Sequence, residues 1–168
     1  TEPSTLYGSL RDGSIVEGQV AVAGALAQSI EIERVFLTPQ VKACKAALTA
    51  ISKAEVIVIG PGSLYESVLP NFLPTGIVAA IKKSKAPVIY IENLLTEGRA
   101  MPRSHGPDYW VKQAEKVVGR RFSRIIINSA RPVPETIQAY EREGKHPLLA
   151  GKKIIDRRFI AAPLWKDK

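Results

Sequence analysis

Residues 55–67 constrain the fold more than any other stretch of this chain. Glu55 precedes the apolar run Val56-Ile57-Val58-Ile59, which leads into Gly60-Pro61-Gly62-Ser63 and then Leu64-Tyr65-Glu66-Ser67. An unbroken β-branched run bounded by turn residues is the pattern of a central strand buried in a parallel sheet. The turn then delivers the chain into a helix-like segment. A strand that passes through glycines into a helix start aims free backbone N–H groups, and the positive end of a dipole, at one point. A phosphate or carboxylate is the usual occupant of such a point. The glycines also serve a tight strand-to-helix turn for steric reasons alone, so a purely structural reading stands beside the anion reading. The turn is neither a P-loop nor a dinucleotide fingerprint, because the lysine and the glycine spacing are wrong.

The flanking pattern extends this to a fold class. Thr5–Leu10 and Ser14–Val22 read as strands joined at Asp12-Gly13, with Val16, Val20 and Val22 on one face. Glu33–Thr38 reads as the next strand, ended by Pro39. Val41, Cys44, Ala47, Leu48 and Ile51 recur at helical spacing, which places Cys44 on a buried helix face. A short helical piece stops near Pro70. Thr75–Ser84 reads as a helix, Pro87–Ile91 as a strand, and Pro107–Val118 as a helix closed by Gly119. Ile125–Asn128 is a strand, and Pro134–Glu143 a helix with proline at a favoured start. Leu148-Leu149 and Lys153–Ile155 read as short strands. Alternating strands and helices predict a Rossmann-like α/β fold, a mostly parallel sheet with helices on both faces, plus an N-terminal hairpin. The expected organisation is one domain: a hairpin at 1–24, an α/β core at 33–150 and a basic tail at 151–168.

Length and charge narrow the function. A chain of 168 residues suffices for one real core. No apolar run approaches the ~20 residues of a membrane span, and no secretory signal is visible. A lone cysteine excludes an internal disulfide, and a cytoplasmic location is expected. The formal charge is +8, all of it beyond residue 95. Arg120-Arg121 with Arg124, Lys152-Lys153 and Arg157-Arg158 form clusters that line an anion site or a solvated face. Specific nucleic-acid binding is not expected, since no motif for it occurs. No metal constellation is expected from His105 and His146.

In a parallel sheet, ligands gather at the carboxyl ends of the strands. Three polar clusters fall there: Gly60-Pro61-Gly62-Ser63, Glu92-Asn93 with its loop, and Asn128-Ser129-Ala130-Arg131. Thr38-Pro39 ends a further strand. Ser63 can cap the following helix or donate to a ligand. Tyr65 either stacks on a base or sugar or packs with its hydroxyl bonded. Asn93 either reads a ligand edge or ties its own loop. Arg99, Arg103 and His105 either close over an anion or are solvated.

Taken together, Gly60-Pro61-Gly62-Ser63-Leu64-Tyr65-x-Ser67-x-Leu69-Pro70-Asn71 resembles the signature of the YvcK, or gluconeogenesis-factor, family, which is related to the CofD 2-phospholactate transferases. Asp12-Gly13-x-Ile15-Val16-x-Gly18 resembles that family's hairpin. Arg34-Val35-Phe36-Leu37-Thr38-Pro39 resembles its next strand, and Tyr90-Ile91-x-Asn93-Leu94-Leu95-Thr96 a later segment. The resemblance covers residues 6–145. It implies a Rossmann-like domain binding a nucleotide sugar, typically UDP-linked N-acetylglucosamine, in control of bacterial cell wall, cell shape and central carbon metabolism. The ligand residues it implies are Gly60, Pro61, Gly62, Ser63, Leu64, Tyr65, Ser67, Asn71, Asn93, Thr96 and Arg99. No cofactor is expected in this chain. A divalent metal would enter only with CofD-like phospholactyl transfer by an intact protein. A basic interaction module without a small-molecule ligand is the third class.

The family's glycine-rich opening and its acidic segment are not in this sequence, so the chain resembles a C-terminal portion. Without the first strands of a doubly wound sheet, an edge and an apolar face should be exposed. Self-association or pairing with an N-terminal half is therefore expected.

Overall fold

The structure is a computed structural model that describes residues 3–27, 30–96, 106–150 and 158–164. Two sheets are built in succession. The first is antiparallel, in the order β2-β1-β3, from Thr5–Leu10 (β1), Ile15–Glu17 (β2) and Ile32–Thr38 (β3). Tyr7 sits opposite Glu17 on one side and Phe36 on the other. The Tyr7 and Phe36 rings stack at 5.6 Å. The hairpin turns at Asp12-Gly13 as expected. Asp12 Oδ1 accepts from the Ser14 N–H at 2.9 Å and the Ser14 hydroxyl at 2.7 Å, and Gly13 takes φ 88°.

The second strand is shorter than the sequence suggests. Ser14–Val22 does not run on as one strand, because Gly18 turns to φ 85°. Its N–H donates to Leu6 O at 2.7 Å, and its carbonyl accepts from Val22 N–H at 3.1 Å. This launches helix α1, Gln19–Ala27. Val22 is buried inside that helix while Val20 is 87% exposed. A short apolar run reads equally well at period two or at helical period, and here an alanine-rich sequence takes the helix.

Helix α2, Lys45–Lys53, starts later than its apolar period implies. Val41 and Lys42 instead run beside Thr75: Ala43 N–H donates to Thr75 O, and Thr75 N–H to Val41 O. Cys44 is not on a buried face. It is the exposed N-cap, and its Sγ accepts from the Ala47 N–H at 3.4 Å.

The second sheet is parallel, in the order β4-β5-β6-β7, from Ile57–Ile59 (β4), Val88–Ile91 (β5), Arg124–Asn128 (β6) and Phe159–Ala162 (β7). Helices α3 (Ile77–Lys83), α4 (Pro107–Val118) and α5 (Pro134–Arg142) come after β4, β5 and β6. The class is therefore α/β as expected, a parallel sheet flanked by helices with an antiparallel hairpin sheet. Among the described residues β4 is an edge strand, not a central one. Phe159–Ala162, within the segment expected as a basic tail, supplies the other edge. Leu148-Leu149 is not a strand; only an isolated bridge joins Leu95 and Pro147. The expected strand at 153–155 lies outside the described residues, as do Lys152 and Arg157.

One hydrophobic cluster joins the sheets. It runs from Leu10, Val22 and Ile32 through Leu64, Val68 and Leu69 to Ile59, Tyr90 and Ile125. Tyr90 stacks on Phe122 at 5.1 Å. Of the arginines read as lining an anion site or a solvated face, Arg121 and Arg124 are exposed, while Arg120 and Arg158 serve the scaffold. Arg120 donates to the carbonyls of Ile81 and Ser84 at 2.9 Å and of Ala86 at 2.8 Å, satisfying the open end of α3. Arg158 pairs with Glu115, whose carboxylate also accepts from the Phe122 N–H at 2.7 Å.

This scaffold is testable at two points. Arg120→Met strips three carbonyls of their donor, and it should lower stability by about 2–3 kcal/mol in a urea melt. The two Ser14 hydrogen bonds hold the Asp12 carboxyl below its ordinary range. A depressed folded-state value means the turn's stabilisation is present above the usual carboxylate pKa and is lost as pH falls through the folded one. The Ser14 amide resonance should therefore titrate in acid with a midpoint below that of a free aspartate, and Asp12→Asn should abolish the titration.

Candidate functional site

The site is built from one close backbone approach. After Ile59, Gly60 takes φ 82°, and a Cβ placed there would lie 2.5 Å from the Ile91 carbonyl oxygen. Only glycine fits on both counts. The chain then passes through a cis Gly60-Pro61 bond to Gly62, where a Cβ would lie 3.3 Å from Ser67 Cβ.

The segment after Gly62 is not a regular helix. Ser63 O accepts from both the Ser67 and Val68 N–H groups at 2.9 Å, closing a five-residue π turn over Leu64–Val68. A 3₁₀ turn over Leu69–Phe72 continues it. Such widened turns arise where a loop must satisfy backbone groups and aim side chains at once. Ser63 occupies the cap position but makes no side-chain cap bond, so of the two roles read for it capping is not taken up. Its Oγ is buried and has no hydrogen-bond partner.

The expected site residues divide into two groups. Gly60, Pro61, Ser67 and Asn71 line an open groove of about 400 Å³ along the outer edge of β4, floored by Val58 and Phe72. Asn71 Nδ2 donates to Ser67 O at 2.5 Å, and both residues are exposed. Gly62, Leu64 and Asn93 line a narrow crevice between the ends of β4 and β5, with Glu92 and Trp110. Leu64 and Tyr65 are core residues, 1% and 5% exposed. Tyr65 borders a different hollow, beside Arg11 and Glu31. Thr96 is held by His146: its N–H donates to the His146 carbonyl at 2.8 Å, and its Oγ1 accepts the His146 N–H at 2.9 Å. Asn93 ties its own loop, Oδ1 accepting from the Leu94 N–H at 3.2 Å. Arg99, Arg103 and His105 lie outside the described residues.

The other two expected clusters are differently employed. Asn128 is buried, and its amide is spent on Ala130 and on the Leu164 N–H. Thr38 ends a strand of the antiparallel sheet, so it does not join the carboxyl end of the parallel one.

Glu92 and Trp110 carry more than their sequence reading gave them. Glu92 is 2% exposed, and its Oε1 accepts from the Asn93 N–H at 3.1 Å. A signal was present: at period two, Glu92 falls on the face of Val88 and Tyr90, so a charge stands where an apolar side chain is due. Trp110 is 2% exposed and its indole N–H has no hydrogen-bond partner. Its place in the apolar stripe of α4 concealed the polar end. Among the described residues, no group of three or more histidine, cysteine or carboxylate side chains stands together. The site therefore does not fit a divalent metal on these residues.

Gly60→Ala should force the turn off Ile91. A loss of about 2–4 kcal/mol is expected in denaturant melts, from the left-handed backbone and the clash together. Gly106→Ala, where a Cβ meets nothing within 4 Å, should be close to neutral.

Known proteins share this fold. Residues 1–164 match the family described as 2-phospho-L-lactate transferase CofD. The gluconeogenesis factor of Halalkalibacterium halodurans is 39% identical over 159 residues, 94% of this chain and 47% of that protein. The gluconeogenesis factor of Listeria monocytogenes is 34% identical over 167 residues, covering 95% and 51%. A solved Bacillus halodurans protein, described as a member of the upf0052 family, superposes with TM-score 0.84 at 33% identity, over 96% of this chain and 53% of that one. The chain thus spans about half the length of the relatives it matches. It belongs to the CofD family, as a C-terminal portion whose curated relatives are gluconeogenesis factors of the YvcK type.

Proposed function

We propose that the chain forms one wall of a nucleotide-sugar site, of the kind that takes UDP-linked N-acetylglucosamine, in a regulatory protein of bacterial cell-wall and central carbon metabolism. The observation that carries this reading is the groove at the end of β4. Gly60 and Pro61 give it a backbone wall, Ser67 and Asn71 give it polar side chains, and Val58 and Phe72 give it an apolar floor. A sugar nucleotide asks for that mixture: polar groups for hydroxyls and phosphates, apolar surface for the ring faces. Gly62 and Ser63 lie one step further along the same turn, where the Ser63 Oγ is buried without a hydrogen-bond partner. The reading is one of binding without turnover in the cytoplasm. None of the described helices is long and apolar enough to cross a membrane. Metal-dependent phospholactyl transfer asks for acidic ligands that the described residues do not bring together.

Calorimetry tests this on a chimera in which the chain replaces the matching half of the Halalkalibacterium halodurans factor. Saturable binding of UDP-linked N-acetylglucosamine is expected. Ser67→Ala and Asn71→Ala should each weaken it by about fivefold, the worth of one hydrogen bond, with little change in melting temperature. A folded chimera that binds no UDP-sugar would sink the reading.

A further inference from the structure

Helices α2 and α3 enclose a second groove, apart from the site described above. We propose that it docks an acidic, amphipathic helix of a protein partner.

The two helices run side by side in the same direction. They start together: Ala43 N–H donates to Thr75 O, Thr75 N–H to Val41 O, and a Cβ on Gly76 would lie 3.5 Å from Leu48 Cδ2. Between them lies an open groove of about 490 Å³. Leu48, Gly76 and Ala80 line its body, and Ala54, Lys83 and Lys85 line its far end. None of its residues lines the groove beside β4.

The charge around this groove is of one sign. Every charged side chain from residue 41 to 54 and from 75 to 87 is a lysine: Lys42, Lys45, Lys53, Lys82, Lys83 and Lys85. All six are exposed, and among the described residues none is in an ion pair. Arg120, bound to the carbonyls of Ser84 and Ala86, adds a guanidinium at the far end. Glu55, just past Ala54, is the nearest acid along the chain.

The helix dipole accounts for part of this. Lys53, Lys82 and Lys83 lie in last turns, where a cation is favoured. Lys42 and Lys45 stand at the start of α2, where a cation is disfavoured and no acid accompanies it. Lys45 precedes Leu48 by three residues, so it stands on the groove side of its helix. Local helix chemistry therefore does not account for a rim that is positive at both ends. A rim of a single sign selects partners of the opposite sign.

Shape selects among anionic partners. Helix α2 has 9 residues, so the groove runs open for about 13 Å and suits an elongated occupant rather than a compact one. Its apolar lining is recessed between the helices, whereas a face that binds a membrane needs apolar side chains that project. Ala80 and Gly76 let a third helix come close. Its apolar side chains would enter between α2 and α3, and its carboxylates would meet the lysines. A second copy of this chain does not serve, because twofold pairing of this face sets lysines against lysines.

The test titrates the isotope-labelled whole chain with a synthetic helical peptide, leucines on one face and glutamates on the others, of about 14 residues. Amide shifts should cluster at Leu48, Ser52, Gly76, Ala79 and Ala80. A peptide with glutamine in place of leucine, and one with lysine in place of glutamate, should each bind at least about tenfold more weakly. Lys83→Glu combined with Lys85→Glu should weaken binding by about tenfold and lessen its dependence on salt. Ala79→Phe fills the groove from an exposed position and should weaken binding while leaving the salt dependence as it was. Both variants should keep the far-ultraviolet dichroism of the chain. Lys112→Glu, on α4, should leave the affinity unchanged. Absence of binding overturns the inference, as do shifts spread over other basic surfaces. So does loss of binding in the chimera used for calorimetry, which would mean that the other half covers the groove. Tighter binding to vesicles of phosphatidylserine and phosphatidylcholine, or to a single-stranded oligonucleotide, overturns it as well. None of these readouts involves the nucleotide sugar, so failure here is separable from failure of the ligand reading.

Discussion

The approach of Gly60 to the Ile91 carbonyl is the contact from which the rest of the molecule takes its geometry. It brings the end of β4 against the end of β5 more closely than any side chain permits. The chain must leave the sheet at that point and cannot run on as a strand. It leaves into a π turn because Ser63 O satisfies two amides, Ser67 and Val68, rather than one. That widened turn sets the register of the next residues. Leu64, Tyr65, Val68 and Leu69 point inward, while Ser67 and Asn71 remain outside.

Those inward residues are what the two sheets share. The antiparallel sheet contributes Leu10 and Ile32, helix α1 contributes Val22 and Leu26, and the parallel sheet contributes Ile59, Tyr90 and Ile125; the turn residues belong to the same cluster. Burying a side chain such as Leu64 or Leu69 is worth about 2 kcal/mol. The segment therefore serves as core and as site wall at once. A ligand group in the groove would be held by Ser67 and Asn71, whose backbone positions are fixed by packing on the far side of the same turn. This is the rigidity that a preorganised site needs, obtained without a long helix.

Much of this was legible in the sequence because the signals were chemically unambiguous. Gly60-Pro61-Gly62, Asp12-Gly13, Pro107 with Gly119, and Pro134 each permit few backbone states, and each stands where expected. What was illegible came from ambiguity of period or from long-range pairing. Val20 and Val22 satisfy a strand and a helix equally, and Gly18 decides between them. Cys44 has apolar spacing, but its partner is the local Ala47 amide rather than a core. Whether Val56–Ile59 is central or at an edge depends on which strands exist beside it, which an isolated run does not encode. Arg120 reads as surface charge until the open carbonyls of α3 are placed beside it. The division of the site residues into groove and crevice was hidden for the same reason, since it depends on how the π turn is wound.

The bare edge and the candidate site are consequences of one topological fact. Strands β4 to β7 step in one direction, so the outer side of β4 is where the winding of a doubly wound sheet would reverse. At such a reversal the adjacent crossovers lie on opposite faces, and a crevice opens at the carboxyl end of the strands between them. The Gly60 turn and the Ser67–Asn71 wall stand at that end of β4, beside an edge that no strand pairs with among the described residues. The residues that leave β4 at the edge of the sheet, among the described residues, are thus neighbours of those that line the groove beside its turn.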